Sequence, residues 1–143
     1  MAGEKTTGAV TFKEMEQSGW HSKASTYDAL VGQITMQAMD ALLDAAGVVA
    51  GVRVLDVACG PGYGAGAAVG RGANAVGVDF AEAMVEEANK NFPGAEFQAG
   101  DGEKLSFEDS CFDAVICPFG LLHMPEPERA VSEAFRVLRS GGR

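Results

Sequence analysis

The sequence predicts one α/β domain, or a piece of one, in which helices flank a parallel sheet of about four strands. Three observations lead to this prediction. Short runs rich in β-branched residues alternate with segments whose apolar residues recur every three or four positions. Strands that alternate with helices form parallel sheets with right-handed crossovers. A glycine-rich turn follows the first of these runs, at the end of a strand where such sheets bind their ligands.

The predicted elements follow one another in a regular order. Residues 1–24 are expected to form a flexible N-terminal segment or lid, and residues 25–143 the folded core. Strands are predicted at residues 52–57, 73–78, 95–99 and 112–117. Helices are predicted at residues 25–45, 65–70, 81–92 and 125–139. The turns after the four strands share one side of the sheet, so a site built from four loops is expected there.

Composition and charge exclude several classes of protein. With 47% hydrophobic and 22% charged residues, the chain of 143 residues is globular rather than disordered. Its net charge of -9 repels a phosphate backbone, so no nucleic-acid partner is expected. No apolar run approaches the roughly 18 residues of a membrane span, and no secretion signal is visible, so no membrane partner is expected. The spacing of Cys59, Cys111 and Cys117 fits neither zinc nor a disulfide framework, which predicts reduced thiols, a cytoplasmic protein and no metal.

The strongest motif is the turn after the first strand, residues 56–62 (Asp-Val-Ala-Cys-Gly-Pro-Gly). Its glycines let the backbone approach a ligand closely, and the spacing Gly60-x-Gly62-x-x-Ala65 also satisfies the dinucleotide fingerprint. Asp56 helps to distinguish a dinucleotide site from a site for a positively charged ligand. A carboxylate aimed at a diphosphate would repel it, whereas one aimed at an ammonium or sulfonium group would attract it. S-adenosylmethionine (SAM) carries both cations and no phosphate.

Residues 54–62 (Val-Leu-Asp-Val-Ala-Cys-Gly-Pro-Gly) resemble the first motif of the class I SAM-dependent methyltransferases. The small-molecule branch that includes the quinone-biosynthesis methyltransferases is the most similar in style. The resemblance covers roughly residues 20–143 and depends on four motifs in the same order. One departure is Ala58, since the motif usually has glycine there.

The resemblance implies a Rossmann-like fold, which in this family has a seven-stranded sheet in the order 3-2-1-4-5-7-6. Only four strands are predicted here, so the chain is expected to be an incomplete version, truncated after the helix that follows the fourth strand. The fourth strand would then be an exposed edge that is apolar on both faces. Because such an edge invites pairing, a homodimer through the fourth strand is predicted.

The next two motifs are assigned to the cofactor by the same resemblance. Residues 77–84 (Gly-Val-Asp-Phe-Ala-Glu-Ala-Met) would bind the ribose hydroxyls through Asp79, although Asp79 could also cap the following helix. Residues 100–105 (Gly-Asp-Gly-Glu-Lys-Leu) would bind the adenine amino group through Asp101. The alternative for this third motif is a solvated acidic turn.

The fourth motif, residues 112–124, would border the methyl group and the acceptor. Amine-methylating relatives carry Asn/Asp-Pro-Pro-Tyr in this loop, whereas this chain has Cys-Pro-Phe-Gly at 117–120, which argues against an amine held in that manner. His123 is the candidate catalytic base, because it can titrate near neutral pH; the alternative is a structural histidine that bonds a loop carbonyl. Trp20 and the pair Tyr27-Asp28 belong either to a lid over the cofactor or to ordinary packing.

The resemblance therefore implies transfer of a methyl group from SAM to a small-molecule acceptor, with S-adenosylhomocysteine as the product. Two alternatives stay open: a non-catalytic remnant that binds SAM or S-adenosylhomocysteine and self-associates, and a nucleotide-binding oxidoreductase domain. The predicted cofactor-binding residues are Asp56, Ala58, Cys59, Gly60, Gly62, Asp79, Phe80, Met84, Asp101, Gly102, Glu103, Pro118, Phe119 and Tyr27.

Overall fold

Four parallel strands form one sheet in the order β3-β2-β1-β4 in a computed structural model, which describes residues 9–27 and 32–143. The strands are β1 (Arg53–Val57), β2 (Asn74–Asp79), β3 (Glu96–Ala99) and β4 (Ala114–Ile116). The helices are α1 (Phe12–Lys23), α2 (Gln33–Gln37), α3 (Met39–Ala45), α4 (Tyr63–Gly70), α5 (Glu82–Asn91) and α6 (Pro127–Val137). Short 3₁₀ turns cover Ala24–Thr26 and Leu121–His123. The predicted α/β fold with a four-stranded parallel sheet is confirmed.

The central strand β1 separates two apolar clusters, because successive side chains of a strand point to opposite faces. Val54 packs with Leu43 of α3 and the alanines of α4 on one face. Leu55 and Val57 pack with Phe112 and with Val137 of α6 on the other face. Asp56 lies two residues after Val54, on the same face of β1, and therefore points towards α4. The alternation of side chains along β1 thus places the acidic residue of the first motif beneath α4.

Helix α4 packs unusually close to the sheet and to Phe92, because its inner positions are small. It begins after Gly62, whose φ of +94° lies in the left-handed region. A Cβ added at Gly64 would lie 2.6 Å from Asp56 Oδ2. A Cβ added at Gly66 would lie 2.2 Å from Phe92 Cδ1. The glycines of this segment therefore bring the amino end of α4 down onto the end of β1.

Replacing Gly66 with alanine tests this close approach. Alanine normally stabilises a helix relative to glycine by about 1 kcal/mol, but the added methyl group at this position overlaps the Phe92 ring. We expect Gly66→Ala to destabilise the protein by about 1–3 kcal/mol in urea unfolding. Gly70→Ala, at the end of the same helix, is the matched control, since its Cβ would meet no described atom within 4 Å. Equal stabilities of the two variants would contradict the packing described here.

Residues 12–23 form helix α1, where the sequence predicts a flexible segment. The helix begins with a capping box: Glu14 N donates to Thr11 Oγ1 at 3.2 Å, and Thr11 N donates to Glu14 Oε2 at 2.8 Å. Its far end packs on the start of α5, with Trp20 against the cluster of Ala81 and Met84. Helix α1 is therefore part of the folded body.

The long helix predicted over residues 25–45 is divided in the structure. A 3₁₀ turn, α2 and α3 take its place, with a break at Ala38, where the backbone leaves α2. Residues 28–31 of the predicted helix, including Leu30, lie outside the described residues. The predicted end of this helical segment at Gly47 agrees with the φ of +67° at that residue.

The outer edge of β4 is hydrogen-bonded by the chain itself, which corrects the prediction of an exposed edge. Val115 N donates to Arg143 O at 2.9 Å, and Arg143 N donates to Asp113 O at 3.1 Å. Arg139 N donates to Phe112 O at 2.8 Å. These bonds occupy backbone groups that a second copy would need, so the structure gives the predicted homodimer no support.

Across residues 9–27 and 32–143, none of the helices has both the length and the apolar character needed to cross a bilayer.

Candidate cofactor-binding site

Two adjoining cavities lie at the carboxyl ends of β1, β2 and β4. The large cavity has a volume of about 270 Å³ and the small cavity about 40 Å³. Both are bordered by five residues from the turns after these strands: Ala58, Asp79, Phe80, Gly120 and His123. Three of the predicted motifs therefore meet at the boundary between the cavities, and the third motif lines the small one.

The turn after β1 has the backbone conformation that its glycines favour. Gly60 has a φ of +52° and Ala58 a φ of +55°. Ala58 is thus an L-residue in the left-handed region, which costs roughly 1 kcal/mol and explains why the motif usually has glycine there. Its methyl group fills space beside Gly120, where an added Cβ would lie 2.6 Å from Ala58 Cβ. Residues 58 and 120 are therefore complementary in size.

Asp79 ties this turn to the start of α5. Its Oδ2 accepts a hydrogen bond from Gly60 N at 2.8 Å, and its Oδ1 accepts one from Ala81 N at 2.9 Å. The residue is only 6% exposed, and burial raises the pKa of its carboxyl although both backbone donors oppose the rise. Ala81 is itself the N-cap residue of α5, and no side-chain capping bond is made there, so the alternative that Asp79 is the N-cap of this helix is wrong. Each carboxylate oxygen keeps a lone pair for a further donor, so the two backbone bonds are compatible with ribose binding by Asp79.

Asp56 lies away from both cavities, in contrast to its predicted contact with the cofactor. The side chain is fully buried beneath α4, and Oδ2 accepts a hydrogen bond from Ala65 N at 2.8 Å. Oδ1 is buried with no hydrogen-bond partner among the described residues. Burial raises the pKa of this carboxyl to about 7, against the effect of the Ala65 donor and with a smaller contribution from Asp79. Direct contact between Asp56 and a cation is therefore not what separates SAM from a diphosphate.

Two other predicted residues lie behind the site rather than in it. The Cys59 thiol is buried, and burial holds its pKa well above the usual value. Gly62 lies under Phe97 and Phe92, where an added Cβ would come within 2.8 Å of Phe97 Cζ. Neither residue lines a cavity. Their observed contribution is to the shape of the turn.

The third motif lines the small cavity, together with a lysine that the sequence did not single out. Lys13 of α1 forms ion pairs with Asp101 and Glu103. Asp101 Oδ1 also accepts a hydrogen bond from Glu103 N at 3.0 Å. Glu103 is 7% exposed and its Oε1 accepts one from Glu126 N at 2.7 Å. This turn is held by specific contacts, so the alternative of a solvated acidic turn is wrong for Glu103.

His123 lies at the boundary of the two cavities and pairs with a carboxylate from α1. Its Nδ1 lies 2.8 Å from Glu16 Oε2, which also accepts a hydrogen bond from Trp20 Nε1 at 3.1 Å. The Trp20 and His123 rings meet edge to face, with their centroids 4.9 Å apart. Among the described residues, the bond that this side chain makes is to Glu16 and not to a loop carbonyl, as the alternative had it. No sequence signal identified Glu16.

The remainder of the large cavity is apolar. Tyr27 lines this cavity, and the centroid of its ring lies 6.1 Å from that of Trp20. Its predicted companion Asp28 lies outside the described residues. Phe119 is 52% exposed and has a φ of +61°. The apolar lining residues are Trp20, Ile34, Phe80, Met84, Pro118, Phe119 and Leu122. An apolar molecule would therefore be well accommodated beside the polar boundary of Asp79 and His123.

The fold and the cavities define a Rossmann-like domain, a class that binds nucleoside-containing cofactors at the carboxyl edge of its sheet. Residues 55–143 match a family model described as a methyltransferase domain. The chain belongs to this methyltransferase family, as its motifs predict. Membership implies SAM as the cofactor.

Relatives point to the quinone-biosynthesis-like branch. The chain is 40% identical to a demethylmenaquinone methyltransferase from Renibacterium salmoninarum, over 71% of this chain and 43% of the relative. It is 39% identical to one from Beutenbergia cavernae, over 84% of this chain and 52% of the relative. The structure of the YcgJ protein from Bacillus subtilis superimposes with a TM-score of 0.67 at 32% identity, covering 74% of this chain and 47% of that one. The chain thus spans about half the length of the curated relatives that it matches.

Proposed function

We propose that this chain binds SAM across the two cavities and forms the cofactor-binding part of an enzyme that methylates a small apolar acceptor, leaving S-adenosylhomocysteine. The observation that carries the proposal is the position of Asp79. This buried carboxylate faces the boundary of the two cavities, and it is fixed by backbone donors from two turns. It is the kind of rigid acceptor that a ribose diol requires.

The residues around Asp79 fit the rest of the cofactor. Asp101 and the backbone of Gly102 and Glu103 line the small cavity and would bind the adenine ring. Phe80 and Met84 would flank that ring. Gly60 borders the large cavity, and an added Cβ there would meet no described atom within 4 Å, so the methionine part could lie against the backbone of this turn.

Methyl transfer from a sulfonium is an in-line displacement that requires little of the protein beyond alignment and the exclusion of water. Asp79 would fix the nucleoside end, and the turn at Gly60 would fix the methionine end. Pro118 and Phe119 come from the fourth motif and line the large cavity, where they would hold the acceptor on the methyl side.

We further propose that the acceptor is a quinone-type ring. The relatives are named demethylmenaquinone methyltransferases, and the lining of the large cavity is mostly apolar and aromatic. A flat, hydrophobic ring suits such a surface. We place the protein in the cytoplasm, which agrees with its three unpaired cysteines.

Calorimetry followed by a transfer assay tests the proposal. We expect the intact protein to bind SAM and not NAD, and to move tritium from methyl-labelled SAM to 1,4-naphthoquinol. Binding of NAD without any response to SAM would overturn the cofactor assignment in favour of an oxidoreductase domain. Binding of SAM with no transfer to this or related quinols would favour the non-catalytic alternative.

A further inference from the structure

We propose that Glu16 positions His123 as the proton acceptor for the hydroxyl group of the quinol-type acceptor proposed above. This inference rests on the proposed function and extends it by giving a role to a carboxylate on α1 that no motif contains.

The bonding partners determine which nitrogen of His123 can take a proton. Glu16 Oε2 accepts from Trp20 Nε1 and lies 2.8 Å from His123 Nδ1. A carboxylate is an acceptor only, so Nδ1 must carry the hydrogen of this bond. The lone pair then lies on Nε2. Glu16 thus selects the tautomer in which His123 can act as a base.

The position of the pair places that base at the site. His123 borders both cavities, whereas Glu16 lines neither and lies behind the ring. Among the described residues of the large cavity, the titratable side chains are Tyr27, Asp79 and His123. Asp79 already accepts two backbone hydrogen bonds. His123 carries an imidazole, the side chain that most often acts as a general base.

The pair would be held firmly enough to act in a fixed geometry. Glu16 and His123 have 20% and 31% of their side-chain surface exposed, so both are largely shielded from water. Trp20 packs its ring against His123 and bonds the same carboxylate oxygen. Directly after Glu16 on α1, Gln17 Nε2 donates to Phe80 O at 2.8 Å. These contacts hold α1 against the site and keep Glu16 in reach of the imidazole.

Methyl transfer with His123 as the base requires no reagent other than SAM and the acceptor. The hydroxyl proton of the acceptor passes to Nε2 of His123, and the electron density left on oxygen is shared with the ring. The acceptor forms a new bond to the methyl carbon through that oxygen or a conjugated ring carbon. The bond from methyl carbon to sulfur breaks, and its electron pair stays on sulfur, which becomes a neutral thioether. Reaction at carbon then ends with loss of the ring proton to solvent.

Ionisation of a bound phenol tests the inference without requiring turnover. The intact protein is saturated with S-adenosylhomocysteine, and 4-nitrophenol is added at a pH where the free phenol is mostly protonated. Visible absorbance then measures the bound phenolate. We expect a strong phenolate signal with the wild type and a loss of about tenfold or more in Glu16→Gln and in His123→Asn. Glu14→Gln is the matched control, since it removes the same charge from α1 and keeps the capping box.

The outcomes separate this inference from the proposed function. Calorimetry that shows no binding of S-adenosylhomocysteine defeats the proposed function. Binding of S-adenosylhomocysteine with no bound phenolate in the wild type, or with equal signals in all variants, defeats only the inference. In the transfer assay with 1,4-naphthoquinol, His123→Ala should lower kcat by roughly 10²–10⁴-fold with little change in the KM for SAM. Added imidazole should restore part of that loss, which a purely structural role would not allow.

Discussion

Replacing Asp79 with alanine will remove most of the affinity for SAM and will also destabilise the free protein. In the proposed binding mode the variant loses two hydrogen bonds that the ribose hydroxyls donate to a charged acceptor, each worth about 1.5–3 kcal/mol. At about 1.4 kcal/mol per factor of ten, the affinity should fall by about 100-fold or more. The free protein loses the acceptor for Gly60 N and Ala81 N, which should cost about 1–3 kcal/mol. Calorimetry and urea unfolding measure the two effects.

Two further variants distinguish the direct contact of Asp79 with SAM from the general effect of removing a negative charge. Glu82→Gln removes a negative charge from the exposed first turn of α5, so its affinity for SAM should stay within about twofold of the wild type. Asp79→Asn keeps the shape but sets an amide donor against a backbone N–H, so it should resemble alanine in stability. Wild-type affinity in Asp79→Ala would remove the central contact of the proposed cofactor site.

The sheet and its order of motifs were predictable because local sequence controls them. The β-branched runs that end at Val57 and Asp79 give strands within one or two residues of the predicted bounds. Asp79 was placed correctly at the carboxyl end of β2, next to the turn that follows it. The capping box at Thr11 and Glu14 was also present in the sequence, and it would have identified the start of α1.

Long-range contacts account for the parts that sequence reasoning missed. Glu16 and His123 are 107 residues apart, and α1 contains no buried residue whose spacing would show which face packs on the site. The orientation of Asp56 depends on which face of β1 is covered by α4. The edge of β4 is occupied because residues near Arg139 turn back to it, and no local pattern encodes that return.

Asparagine at position 56 should make the free protein more stable at neutral and alkaline pH. Burial raises the pKa of the Asp56 carboxyl from 3.8 to about 7. The folded protein therefore binds this proton more tightly than the unfolded chain, and wild-type stability falls as pH rises between these values. The pKa difference corresponds to about 4 kcal/mol. Because Asp56→Asn has no charge to bury, its advantage over the wild type should grow by about 3 kcal/mol between about pH 5 and pH 8.

Urea unfolding of both proteins at these two pH values measures that advantage, and Asp113→Asn supplies a control of opposite sign. The pKa of Asp113 is lowered by the bond from Arg53 N and by Arg139, so its charged form stabilises the fold. That contribution is present above the usual pKa of the carboxyl and disappears as pH falls through the lowered value. Asp113→Asn should therefore lose stability at neutral pH, where Asp56→Asn gains it. Parallel pH profiles of wild type and Asp56→Asn would mean that Asp56 is ionised and solvated in the folded protein, and α4 would then have to lie farther from β1 than the bond between Ala65 N and Asp56 Oδ2 allows.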